Sequence, residues 1–153
     1  IIHSLSLATK EFLNSKIIEQ LQTVGREKNE NVRICLHSDK NHKLHEMIIY
    51  QHKNNFYPPK MHTNKTKSFW IIKGELVIGL FDNIGKIRNT INLSPRNNIF
   101  CRIPNKVFHV DIPIVDSIHL ETTLGPFKVK DNVIAPWYDE NKRDSFLREI
   151  LNN

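Results

Sequence analysis

The chain has 153 residues and a mass of 18.0 kDa, the size of one domain with room for a proper core. Hydrophobic residues make up 39% and charged residues 25%, an ordinary globular balance that excludes a low-complexity chain. Lys and Arg outnumber Asp and Glu by 22 to 16, giving a net charge of +6 and a pI near 9.4. The lysines are scattered, with no arginine-rich arm and no nucleic-acid reading motif. The charge therefore serves general solubility first and an anionic small ligand such as a nucleotide sugar second, and nucleic acid ranks last.

Cys35 and Cys101 are the only cysteines and belong to no CxxC or Cys/His cluster. Their apolar neighbours (Ile34 and Leu36, Phe100 and Ile103) predict buried free thiols. No charged leader with a long apolar stretch opens the sequence, and no run approaches the roughly 18 apolar residues of a membrane span. The expectation is a soluble, reduced, cytoplasmic protein without a membrane partner.

In chain order, Ile1–Leu7 reads as a short edge strand. From about Ala8 to Val24 apolar residues recur at helical spacing (Phe12, Leu13, Ile17, Ile18, Leu21, Val24), with Thr9 as N-cap, Glu11 in the first turn and Gly25 as the stop. A charged connector, Arg26–Asn31, follows. Eight short strands are then expected: Val32–Leu36, Met47–Gln51, Ser68–Lys73, Leu76–Phe81, Ile87–Leu93, Ile99–Ile103, Val107–Ile112 and Ser117–Thr123. Turn residues separate them, among them Gly74-Glu75, Asp82–Gly85, Ser94–Asn98 and Pro104-Asn105. Eight strands without intervening helices predict a sandwich or small barrel rather than a parallel α/β sheet. A last helix is expected over Asp139–Leu151, so a single domain over 1–153 has its β barrel at about 32–123 between terminal helices.

There are eight histidines, with no HExxH, no zinc-ribbon spacing, no phosphate loop and no GxSxG elbow. His42 and His45 lie in a polar connector and read as solvated surface. His62 and His109 stand apart. His62 follows Pro58-Pro59 and enters the hairpin of Ser68–Phe81, while His109 shares a strand face with Val107 and Asp111, opposite Phe108, Val110 and Ile112.

The order of these features resembles the two-motif signature of cupins. Motif one is matched at His62 and Gly74, and motif two, P-x-G-x-x-H, reads Pro104-Asn105-Lys106-Val107-Phe108-His109. Arg33 and His37 in VRICLH, Tyr57-Pro58-Pro59, GELVIGLFDNIGK, LETTLGPF and Ala135-Pro136-Trp137 further resemble the WbuC family of cupin-fold proteins, which accompany surface-polysaccharide biosynthesis. The resemblance spans about Asn31 to Glu140. It implies a mainly β, cupin-type jelly-roll barrel with terminal helices, a homodimer, and a site in the barrel.

The resemblance breaks at the metal ligands. The family holds its metal with two histidines and a glutamate from motif one and a histidine from motif two, but here Lys60 and Lys67 replace one histidine and the glutamate. Only His62 and His109 remain as metal ligands. A protonated lysine offers no lone pair, so a divalent Zn, Fe, Ni or Mn would be held weakly and no cofactor is the leading expectation. Glu121, His119 or His37 would restore a ligand set if they point into the same cavity. Glu121 is equally suited to pair with Lys60 or Lys67.

Three functions follow. The first is a binding protein tied to polysaccharide or lipopolysaccharide biosynthesis, with a degenerate metal site and Arg33, His37, Tyr57, Lys60, Lys67 and Glu121 lining a pocket for an anionic sugar-type ligand. The second is a metal-independent nucleotide-sugar epimerase or ketoisomerase, with His62 or His109 as catalytic base and a lysine stabilising an enolate. The third is a non-catalytic dimeric partner-binding protein.

Overall fold

The computed structural model describes residues 3–5, 13–53 and 55–153. Within them the chain forms two facing sheets. The strands are β1 (His3–Leu5), β2 (Val32–Cys35), β3 (Leu44–Gln51), β4 (Lys60–His62), β5 (Lys67–Lys73), β6 (Leu76–Phe81), β7 (Ile87–Leu93), β8 (Phe100–Ile103), β9 (Phe108–Pro113), β10 (Ser117–Leu124) and β11 (Asn132–Ile134). One sheet runs β1-β2-β3-β10-β5-β8 and the other β11-β4-β9-β6-β7. Pairing is antiparallel throughout except between β1 and β2. This is the expected jelly-roll arrangement, in which most neighbouring strands are not consecutive in sequence.

Alternation assigns each strand an inner and an outer face. Phe69, Ile71, Cys101 and Ile103 of the six-stranded sheet meet Leu76, Ile78 and Leu93 of the other in an apolar core. The outer face of β2, β3 and β10 is covered by helix α1 (Ser15–Lys28), which packs Ile17 and Leu21 on Val32, Ile34, Ile48, Tyr50 and Ile118. The outer face of the five-stranded sheet is covered by helix α2 (Arg143–Leu151). Its Phe146, Leu147 and Ile150 join Val77, Phe81, Phe108, Val110 and Ile112, so its apolar side lies on its own barrel. Trp70, Ile72 and Phe100, on the uncovered outer face of β5 and β8, remain exposed.

The elements depart from the sequence reading in a few places, each with a local cause. Helix α1 starts at Ser15, where the Asn14 side chain accepts the Ile17 N–H; Thr9 and Glu11 lie outside the described residues. Gly25 does not stop the helix. It is a buried position inside it, where a Cβ would collide with the Tyr50 ring. The helix ends at Asn29, which takes the left-handed conformation at φ 51° and donates back to Arg26 and Gly25. Strands β4 and β11 were not expected, and the C-terminal helix is preceded by a 3-10 turn over Glu140–Lys142.

Two turns set up the site. Gly74 joins β5 to β6 at φ 84°, against the backbone of Asp116 and Ser117. Lys106, at the position where the cupin motif has glycine, sits at φ 60° and donates its N–H to the His62 carbonyl at 2.7 Å. That bond ties the turn before β9 to the end of β4, and so sets His109 beside His62.

Candidate ligand-binding site

Part of the barrel interior is packed with apolar side chains, and beside it lies a cavity of about 810 Å³. That lies within the range of small-molecule sites. The strand registers show how the polar wall is assembled. Arg33 of β2 pairs with Ile49, Ile49 with His119, and His119 with Ile71, forming one inward row. Met47 and Glu121 lie in the next row, and His45, Thr123 and Lys67 in the one after. From the opposite sheet Lys60 pairs with His109 and Ile134, which places it and His62 on the facing wall with Asp111.

The wall is cationic. Arg33, Lys60, Lys65 and Lys67 face it, against the carboxylates of Asp111 and Glu121, while Asp39 and Lys40 are exposed at the rim. Both inner carboxylates are already engaged. Lys67 Nζ lies 3.1 Å from Glu121 Oε2, with side chains 4% and 12% exposed. Burial alone would push the Glu121 carboxyl up, but the Lys67 and Lys60 ammonium groups bring it down to about 2. Asp111 accepts from the Gln51 amide at 3.0 Å. Of the remaining cations, Lys60 lies over the Tyr57 ring (5.4 Å) and Lys65 over the Phe127 ring (5.3 Å). Desolvation, then the neighbouring Lys67 charge, lowers the pKa of both lysines. Burial raises that of the Tyr57 phenol.

His62 and His109 come together as expected, with ring centroids 5.4 Å apart. His62 lines the cavity; His109 sits behind it, 1% exposed, and forms no part of the cavity wall. Burial, then Lys67, lowers both imidazoles to about 3, so each ring is neutral at neutral pH. His109 Nδ1 donates to the Val107 carbonyl at 3.0 Å, which leaves Nε2 as the lone-pair nitrogen. That nitrogen and both ring nitrogens of His62 are buried without a protein partner.

These residues do not fit a metal of the cupin type. Two neutral imidazoles are in place, but Lys67 stands where a carboxylate would close the set, and it also takes up Glu121, the nearest replacement. Among the described residues, no three His, Cys, Asp or Glu side chains gather closely enough to hold a metal ion. His119 lines the cavity but is fully buried against Phe69, and His37 stacks on His45 at 4.1 Å at the far rim.

The cavity brings together Arg33, His37, Tyr57, Lys60, His62, Lys67 and Glu121 from the sequence reading. The expectation of a solvated His42–His45 pair holds for His42 only. His45 is 5% exposed, packed beneath Gly125 and against His37. Lys65, Gln51 and Phe127 were missed. Asp111 was visible only as a residue sharing the His109 face, and nothing in the spacer marks Lys65 as buried. Cys101 is a buried free thiol as expected, while the free Cys35 is only half-buried at the cavity wall.

A family model described as "Domain of unknown function (DUF6016)" matches residues 13–93, more than half of the chain. The chain belongs to that family. No curated protein matches it. Among solved structures, a protein from Shewanella oneidensis aligns over 92% of this chain and 94% of its own, at 8% identity and a TM-score of 0.59. A cupin superfamily protein from Desulfitobacterium hafniense aligns over 63% and 78%, at 17% identity and a TM-score of 0.51. The capsular polysaccharide assembling protein CapF from Staphylococcus aureus aligns over 61% of this chain but only 27% of its own, at 15% identity and a TM-score of 0.54. These likenesses establish for the DUF6016 chain a cupin-type fold. The narrower likeness to WbuC rests on the sequence motifs.

Proposed function

We propose that this DUF6016 protein binds a small anionic, sugar-type ligand inside its barrel, as part of surface-polysaccharide biosynthesis. One observation carries the reading: beyond the Lys67–Glu121 pair, three cationic side chains, Arg33, Lys60 and Lys65, line the inner cavity against the single carboxylate of Asp111. Such a wall attracts a negative ligand, and its imidazole, amide and carboxylate groups suit hydroxyls. The capsular polysaccharide assembly named for CapF agrees with a carbohydrate setting, as does uridine in the structure of a Streptomyces protein that aligns over 69% of this chain.

The isomerase alternative draws on the unpartnered His62 nitrogens, but it is the less supported reading. A general base works best with a pKa near the operating pH, and burial, then the cations around His62, hold its ring at about 3. The proposal also includes a homodimer, supported by the exposed Trp70, Ile72 and Phe100 on one sheet face, and a reducing cytoplasm, supported by the free thiols of Cys35 and Cys101. Sedimentation measures the first.

Thermal denaturation with glucuronate, glucose 6-phosphate, UDP-glucose and neutral glucose tests the ligand. At least one anion is expected to raise the melting temperature at low salt, with the rise shrinking as ionic strength increases. Equal shifts by glucose and the anions, or none by any, would refute the reading.

A further inference from the structure

Arg33 is the cation in this cavity whose situation the rest of the chain does not explain. It projects inward from β2, and its Nε is buried without a hydrogen-bond partner. Its Nη1 meets only the thioether of Met47, at 3.8 Å, a weak acceptor. Among the described residues no carboxylate forms an ion pair with it: Glu121 is held by Lys67, and Asp111 accepts from Gln51. The residue is half-buried, but its Nε has lost water without gaining an acceptor, which costs stability. A residue kept there for folding alone would be paired or replaced by an apolar one.

Among the described residues its neighbour Lys60 forms no direct ion pair either, although the Asp111 charge reaches both Lys60 and Tyr57. Tyr57 is close enough for the Arg33 charge to act on its phenol, and Lys60 rests its ammonium on the Tyr57 ring. Two cations and a phenol hydroxyl thus line one flank of the cavity, and the acid that reaches them, Asp111, accepts from Gln51 and forms no ion pair with either cation among the described residues. The guanidinium fork matches two oxygens of one planar or tetrahedral anion, which an ammonium, as a point charge, does not.

We propose that Arg33, Tyr57 and Lys60 form an oxyanion subsite that seats the carboxylate or phosphate of the ligand, with Arg33 as the specificity-determining residue. The inference rests on the ligand-binding reading above and deepens it. The ligand is a polyhydroxylated molecule with its negative group at one end. Its hydroxyls face the rest of the polar wall, His62 and the Lys67–Glu121 pair.

Calorimetric titration of the full chain and of Arg33→Gln with glucuronate, glucose 6-phosphate and glucose tests it. The wild-type chain is expected to bind at least one of the anions, and Arg33→Gln to weaken that binding at least tenfold while changing any glucose binding less than twofold. Preference for glucuronate assigns a carboxylate and preference for glucose 6-phosphate a phosphate. Anion binding within twofold of wild type in Arg33→Gln overturns the subsite and leaves the cavity reading standing; no anion binding by the wild type overturns both. Arg33→Met supplies a check independent of ligand. Its urea midpoint without ligand is expected to equal or exceed that of wild type, and a lower midpoint would make Arg33 a structural residue and overturn the proposal.

Discussion

Replacing Lys67 by Met leaves the Glu121 carboxylate buried without the ammonium that neutralises it. Two routes give the size of the loss. Removing one partner of a buried pair costs about 3–5 kcal/mol. Independently, bringing the Glu121 carboxyl from its ordinary 4.5 to about 2 in the fold corresponds to roughly 3 kcal/mol of stability at neutral pH. With side chains only 4% and 12% exposed, the pair has little solvent screening to reduce that figure. Lys60 also acts on Glu121, so the low end, about 3 kcal/mol, is expected. With a urea dependence near 2 kcal/mol per molar, the midpoint at pH 7.5 falls by roughly 1.5 M. The double variant Lys67→Met, Glu121→Leu, which removes both charges, is expected to recover most of the loss. A single-variant cost below about 1 kcal/mol would refute the reasoning, because the pair would then behave as a surface ion pair. So would a double variant as unstable as the sum of the singles.

Two further outcomes follow from the same wall. Above pH 6.5 the His62 and His109 rings are neutral whether the chain is folded or not. Below it the unfolded chain takes up protons that the fold, with both rings at about 3, refuses until far lower pH. Stability is therefore full above 6.5 and declines on acidification, by roughly 3–4 kcal/mol between pH 6.5 and 5; urea titrations across that interval measure it, and a flat profile would contradict the burial of the rings. Lys106→Gly removes a side chain from a left-handed position and is expected to stabilise by about 1 kcal/mol. The gain should be read from the urea midpoint at constant slope, and a loss would show that the lysine side chain contributes contacts of its own.

What could be read from the chain beforehand follows the strength of the local signal. Leu76–Phe81 and Ile87–Leu93 were read with their observed bounds, because turn residues bracket each run on both sides. Strands β4 and β11 have three residues each, too few for alternation to register, and they exist because β9 offers an edge at Lys60 and β4 then offers one to Asn132–Ile134. Gly25 looked like a stop because glycine commonly ends helices; its real reason, the Tyr50 ring, comes from a strand distant in sequence. The site divides the same way. His62, His109 and the two lysines stood out through their motif positions, and the barrel gathered them. Lys65, Gln51 and the buried state of His45 depend on which loop folds over which, and a single sequence carries no mark of that.

The two tryptophans occupy opposite outer surfaces of the barrel. Trp70 is half in solvent on the bare face of β5 beside Phe100, and Trp137 is packed among Phe81, Phe108 and Phe146 beneath α2. Neither lines the cavity, where Tyr57 and Phe127 are the aromatic rings apart from histidine. Intrinsic tryptophan emission thus reports the detachment of α2 through one indole and the condition of a bare sheet surface through the other. To light that enters through tryptophan, the interior is dark. A ligand settling among the lysines would leave the spectrum as it was, so a screen built on quenching would pass over a true binder.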